Sequence, residues 1–142
     1  MCGNTIWDPL RKKDVAFTPE EGVRQWFIRY MHTEMQVPMH MMMSETSFCL
    51  GAKRYRADIV VYDRQARPLA IVECKRPDVT LDSAVTEQAI RYNMVLNVKY
   101  IIITNGKHTH ICGKRPDGSG YVFLDHVPLY GEMSGTDKES GK

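Results

Sequence analysis

Apolar positions along the chain follow two different periods. Between Thr18 and Met35, Val23, Phe27, Tyr30 and Met31 recur three to four residues apart, the spacing of one helical face. Thr18 stands where an N-cap hydroxyl belongs, Pro19 suits the first helical position, and Glu20 and Glu21 favour the positive end of the helix dipole. The residues before Thr18 are polar and read as irregular, with Trp7 and Leu10 as anchors. After Pro38, "MHMMM" and "SFCLG" offer two short strand segments. "ADIVVYD" and "PLAIVECK", joined by "RQAR", read as two strands of a hairpin. The helical period returns in "TLDSAVTEQAIRYNMVL", capped by Asp82 or Thr80, with Val85, Ala89, Tyr92 and Leu96 as its apolar stripe. "KYIIIT" is a buried strand, "NGK" a tight turn, "HTHICG" its hairpin partner and "YVFLD" a last strand.

The order helix, strands, helix, strands predicts an α/β domain with a central mixed β-sheet flanked by α-helices. The 142 residues suit a single domain over residues 1–130, and the Gly- and Ser-rich end, 131–142, has the composition of a disordered tail. Hydrophobic residues make up 43% and charged residues 25%, enough for one core. The net charge of +2 permits a nucleic-acid partner without arguing for one. No apolar run has the length of a signal peptide or a bilayer span, which points to a cytoplasmic chain with no membrane partner. Cys2, Cys49, Cys74 and Cys112 form no CxxC pair, and the histidines show no metal-ligand spacing.

The chemistry concentrates in "LAIVECKRP", a strand that is apolar on both faces yet carries two charges. Alternation puts Leu69, Ile71, Glu73 and Lys75 on one face and Ala70, Val72 and Cys74 on the other. A hairpin turn centred between Gln65 and Ala66 sets Asp63 opposite Pro68 and, in the same register, Asp58 opposite Glu73. Opposed residues share a face with Cβ atoms about 5 Å apart. Two adjacent carboxylates repel unless a cation lies between them, and Mg2+ prefers oxygen ligands while retaining several waters. Asp58, Glu73 and the main-chain carbonyl of Cys74 are the candidate metal ligands. Lys75 would orient a metal-bound water, and together they make a phosphodiester hydrolase site. The plainer reading of a lone ExK is a solvated face or a salt bridge, and of Asp58 a strand-end cap.

Further candidates surround this group. Gln88 and Tyr92, at i and i+4, lie on one side of the second helix. Gln88 is either an amide at the core margin or a donor to the scissile phosphate, and Tyr92 is partly core with an available hydroxyl. Glu20 sits nearer the core-facing side of the first helix than Glu21 and is the preferred additional carboxylate. Lys53, Arg54, Arg56 and Arg76 are either phosphate contacts or solvated surface.

Asp58, then "ECK" after a hairpin, Gln88 to Tyr92 as QxxxY, and "TNG" after the next strand resemble the PD-(D/E)XK nuclease superfamily. More narrowly, "DPLRKKDVAFTPEEGVRQ", "RADIVVYDRQARPLAIVECKRPDVTL" and "EQAIRYNMVLNVKYIIITNG" resemble the N-terminal nuclease domain of the restriction subunit of type I restriction enzymes, from about Asp8 to His110. The resemblance implies a restriction-endonuclease-like fold with a central sheet of about four strands plus extra strands. It also implies a DNA endonuclease dependent on Mg2+, with Mn2+ as a substitute. By that likeness Asp58 and Glu73 bind the metal, Lys75 assists the attacking water, Gln88 and Tyr92 support cleavage, and Glu20 completes the site. DNA and other restriction-modification subunits are the implied partners. Ala57 stands where the family's usual Pro precedes the first Asp. There is no GxxxxGK[ST] phosphate loop, so no ATP site is expected in this chain and ATP-driven translocation is not carried over. Two other readings stay open. One is a non-catalytic nucleic-acid or protein-interaction module on the same fold. The other is an unrelated α/β structural domain whose charges form surface ion pairs, which Asp58 and Glu73 on opposite faces would favour.

Overall fold

The structure is a computed structural model describing residues 3–135. A short hairpin, β1 (Thr5–Asp8) and β2 (Lys13–Ala16), leads into α1 (Pro19–Glu34). A single turn of 3-10 helix at Met39–Met41 precedes β3 (Met42–Leu50), β4 (Lys53–Tyr62) and β5 (Pro68–Cys74). Then come α2 (Ser83–Asn93), a 3-10 turn at Met94–Leu96, β6 (Tyr100–Thr104), β7 (Thr109–Lys114), β8 (Tyr121–Phe123) and α3 (Tyr130–Ser134). The main sheet has six strands in the order β3-β4-β5-β6-β7-β8. Only β5 and β6 run parallel, because α2 crosses between them while the other neighbours are joined by turns. It is the mixed sheet flanked by helices that the sequence predicts, with two strands beyond the central four.

Each helix covers one face. Phe27, Ile28 and Met31 of α1 are fully buried against Ile59, Val61, Ala70 and Val72, and Tyr130 and Met133 of α3 join that layer. On the other face Val60, Ile71, Val98 and Ile101 lie under Ile90 of α2 and Leu96. Thr18 caps α1 by accepting the N–H of Glu21 at 3.1 Å, and Asp82 rather than Thr80 caps α2 through the N–H of Val85 at 2.9 Å. Among the described residues no helix is long and apolar enough to cross a membrane.

Four local features depart from the sequence reading. The N-terminal segment is a hairpin, closed by Lys12 in a left-handed conformation and by Asp8, which accepts the N–H of Leu10 at 2.9 Å. Its Trp7 is 55% exposed and anchors nothing in the core, whereas Leu10 does pack there. Of the two segments after Pro38, Met39–Met41 form a 3-10 turn, and Met42–Leu50 is one continuous strand, β3. The buried line of α2 is Thr86, Ala89 and Asn93, so Tyr92 is turned outward, 39% exposed. The chain also stays ordered past Gly131, where α3 is pinned by buried Met133 and by His126, which meets Glu132 at 2.9 Å. Residues 136–142 of the expected tail lie outside the described residues.

The β4–β5 register matters most for the site. Ile59 pairs with Val72, Val60 with Ile71 and Val61 with Ala70, and continuing that ladder sets Asp58 across from Glu73 as expected. At the turn the expected pair fails: Pro68 faces Tyr62, not Asp63. Asp63 leaves the ladder because its carboxylate accepts the N–H groups of Gln65 and Arg67 at 2.9 and 3.0 Å. A bulge between Val61 and Tyr62 absorbs the extra residue and restores the inner register. Leu69, the residue left over, packs with Ala70 and Val72 on the α1 side rather than with Ile71.

Candidate active site

The sheet splits at Asp58. On one side β4 stays paired with β3 as far as Lys53, while on the other its ladder with β5 stops at Ile59. The last bond across that gap is made by a side chain: Asp58 Oδ2 accepts the main-chain N–H of Cys74 at 2.7 Å. Beyond it the strands diverge and leave a cleft of about 480 Å³, roofed by α1 and α2. Glu20, Asp58, Glu73, Lys75, Gln88 and Tyr92 all line it. Asp58 and Glu73 therefore share one cleft, and the placement on opposite faces that would favour an unrelated domain is not what the structure has.

Each acid is held by one helix. Arg24 of α1 donates to Asp58 Oδ1 at 3.3 Å, and Asn93 of α2 donates to Glu73 Oε1 at 3.1 Å. The second oxygen of Glu73 pairs with Lys75 Nζ at 2.8 Å. Burial pushes the Asp58 carboxyl above its usual range, opposed by the Cys74 N–H and Arg24 and reinforced by Glu20 and Glu73. The contact with Glu73 raises Lys75 against partial burial, so Lys75 is an ammonium at neutral pH.

The remaining candidates separate clearly. Glu20 is exposed on the cleft wall, while Glu21 is buried in an ion-pair network with Arg11 and Arg24 at 2.9 Å each. Gln88 is exposed and its amide has no hydrogen-bond partner among the described residues, so it is not the core-margin amide considered from sequence. Tyr92 is not core either. Its ring lies 5.3 Å from that of Tyr55, and its hydroxyl accepts the main-chain N–H of Arg56 at 3.4 Å. The Cys74 thiol points into the α1-side core, where burial raises its pKa well above the ordinary value and keeps it inert.

Three cleft residues escaped the sequence reading: Arg24, Glu45 and Asn93. Glu45 of β3 stands across from Asp58 in the β3–β4 register and has φ +50, a left-handed backbone within a strand. Its carboxylate meets Arg11 at 3.0 Å, and Arg24 and Arg56 at 3.5 Å each. Only Asn93 left a signal, as the residue next to Tyr92 on the cleft-facing helix. Arg24 and Glu45 depend on long-range pairing that no local pattern encodes.

Among the described residues no three His, Cys, Asp or Glu side chains are gathered so as to hold a metal ion. The donor chemistry nonetheless suits a hard divalent cation: Asp58, Glu73 and Glu20 offer only oxygens, and their mutual repulsion is part of what raises Asp58.

Three comparisons bear on this arrangement. The family described as the type I restriction enzyme R protein N terminus matches residues 19–128. Among solved structures, a fragment described as the HsdR subunit of a type I restriction enzyme from Vibrio vulnificus YJ016 is similar. Its TM-score is 0.57 at 18% identity, over 84% of this chain and 26% of that one. That likeness speaks for the fold, and this chain spans about a quarter of the other's length. No curated protein gives a match. Since the family pattern takes in α1, the whole six-stranded sheet and the cleft between them, the chain belongs to the N-terminal family of type I restriction enzyme R proteins.

Proposed function

We propose that the chain is a metal-dependent DNA endonuclease domain of the PD-(D/E)XK kind, acting within a type I restriction system. The observation that carries this reading is the meeting of Asp58, Glu73 and Lys75 where β4 and β5 part, with Glu20 on the opposite wall. Asp58 and Glu73 would hold Mg2+ or Mn2+, joined by the Cys74 carbonyl. An extended residue sends its N–H and C=O to the same edge, and the Cys74 N–H already points at Asp58. When bound, such a cation activates water and polarises the phosphodiester.

The protein's own residues do the rest. Lys75, fixed as an ammonium by Glu73, orients the attacking water and offsets negative charge growing on the phosphate. Gln88 lines the α2 wall of the cleft, and its free amide would donate to a phosphate oxygen. Tyr92 acts on the cleft's shape by holding the β4 edge at Arg56. DNA and the other subunits of a restriction-modification assembly are the partners this reading implies.

Cleavage of supercoiled plasmid in the presence of Mg2+ or Mn2+ is the test. Glu73→Gln and Lys75→Ala should each abolish it while the circular dichroism spectrum stays unchanged, and undiminished cleavage in both variants rejects the reading. One observation favours a non-catalytic binding module instead. All four carboxylate oxygens of Asp58 and Glu73 already accept hydrogen bonds or ion pairs from within the chain. DNA binding without cleavage under any divalent metal would select that alternative.

A further inference from the structure

Beyond Asp58 the β3–β4 pair continues alone. Thr46 pairs with Ala57, Ser47 with Arg56, Phe48 with Tyr55, Cys49 with Arg54 and Leu50 with Lys53, and β5 accompanies none of these β4 residues. The result is a two-stranded ribbon that runs from the cleft to a turn at Gly51, where φ is +62. From Thr46 to Ala57 it contains Lys53, Arg54 and Arg56 and no acid. All three cations are exposed. Among the described residues Lys53 and Arg54 have no carboxylate partner, and Arg56 shares Glu45 at 3.5 Å with Arg24.

The two faces of the ribbon differ. Phe48 and Tyr55, directly opposed, face the sheet's α2 side, where Phe48 packs on the core and Tyr55 is buried against Tyr92. Ser47, Cys49, Arg54 and Arg56 occupy the other face, which is cationic and carries no aromatic ring. The Tyr92 hydroxyl, on the Arg56 N–H, ties the ribbon to α2. At strand rise Arg56 lies roughly 7 Å and Arg54 roughly 13 Å along the chain from Asp58.

We propose that this ribbon is a docking arm for duplex DNA, laid into the major groove beside the cleft with Arg54, Arg56 and Lys53 on the flanking phosphates. The proposal rests on the nuclease reading for its partner and specifies how that partner is held. A two-stranded ribbon has the width the major groove admits. A single strand would want exposed rings for its bases to stack on, and here both rings of the ribbon are turned inward. Lys53, over the Tyr55 ring at 5.0 Å, and Arg54 have no carboxylate partner among the described residues, and with exposed Arg56 beside the cleft they supply the charge that a phosphate backbone requires.

The test measures binding of a mixed-sequence 20-base-pair duplex, and of one of its strands alone, to the whole chain across a salt series with EDTA present. Lys53→Gln/Arg54→Gln should weaken duplex binding about tenfold and reduce the slope of log affinity against log salt by about two, one per lost phosphate contact. Arg29→Gln, an exposed cation on α1, should change neither quantity. An unchanged slope in the double variant overturns the proposal. So does an equal loss for the single strand, or a ribbon-dependent preference for a poly-glutamate peptide over the duplex. Cleavage is scored separately with Glu73→Gln. Loss of cleavage with ribbon-independent binding keeps the nuclease reading and rejects the arm, and ribbon-dependent binding without any wild-type cleavage does the reverse.

Discussion

The carboxylate of Asp58 accepts the main-chain N–H of Cys74 at 2.7 Å, in the place where a β4 carbonyl would otherwise continue the ladder. That one substitution of side chain for backbone lets the two strands separate without stranding a buried donor. It also fixes one oxygen of Asp58 beside the strand that carries Glu73 and Lys75. Fold and candidate chemistry are thus joined at a single hydrogen bond, and variants at this position should divide the two.

Asp58→Asn keeps an acceptor for the Cys74 N–H and removes the charge that burial disfavours. Its unfolding free energy should stay within about 1 kcal/mol of wild type while cleavage is lost. Asp58→Ala leaves the N–H without a partner and should lose about 1–3 kcal/mol. Urea unfolding of both variants beside plasmid cleavage measures the difference. Equal stabilities would mean that water replaces the carboxylate at the split.

Arg24, 6% exposed, stands among Glu21, Glu45 and Asp58 at 2.9, 3.5 and 3.3 Å. Removing one partner from a buried set of charges usually costs about 3–5 kcal/mol. Glu45 and Asp58 are partly exposed and can recover some hydration, so Arg24→Met should cost less, about 2–4 kcal/mol. Adding Glu21→Gln should return part of that loss. A double variant no better than the single one would assign the cost to lost packing of the arginine stem.

Asn93 forks its amide between Glu73 Oε1 at 3.1 Å and the Ala89 carbonyl at 2.8 Å. Asn93→Ala should destabilise by about 1–3 kcal/mol and lower the cleavage rate by freeing the Glu73 rotamer. Asn93→Asp, which sets a buried carboxylate against Glu73, should be worse at pH 8 than at pH 5. A cleavage rate at wild-type level in Asn93→Ala would limit the asparagine to a structural role.

Those residues also mark what the sequence makes legible. Alternation and helical spacing report local geometry, so Asp58, Glu73 and Lys75 can be brought together from "LAIVECKRP" and one hairpin. Even there the outcome depends on compensation, since Asp63 leaves the ladder and the bulge after Val61 restores it. Helix α2 is rotated from its apolar stripe because Asn93, polar by type, is drawn inward by Glu73. The β1–β2 hairpin is silent because each strand is only four residues long and none of their apolar side chains is fully buried. What holds it is charge, with Arg11 joined to Asp8, Glu21 and Glu45.

That hairpin network predicts an acid-labile component of stability. Burial would raise the Asp8 carboxyl, but the Arg11 guanidinium and the Leu10 N–H outweigh it and hold the pKa below the unfolded value of 3.8. A depressed carboxylate stabilises the fold above the unfolded pKa and loses that contribution as pH falls through the lower folded value. Stability measured from pH 5 down to pH 2 should therefore fall less steeply below pH 3.8 in Asp8→Asn than in wild type. Parallel curves would place the acid sensitivity elsewhere.

Glu45 offers a different test, because its backbone and its side chain pull in opposite directions. A left-handed conformation at a non-glycine residue costs about 1–2 kcal/mol, and φ +50 within β3 is such a conformation. Its ion pairs with Arg11, Arg24 and Arg56 involve a side chain 39% exposed, where pairs contribute about 0–1 kcal/mol each. Glu45→Gly relieves the strain and deletes the pairs, so stability should change by less than about 1 kcal/mol in either direction. Glu45→Val keeps the strain, worsens it by branching at Cβ, and should lose about 2 kcal/mol or more. If the strained carboxylate helps hold Arg24 on Asp58, cleavage should fall in Glu45→Gly despite its intact stability. A glycine variant with wild-type cleavage would show that Glu21 and Asp58 alone keep Arg24 in place.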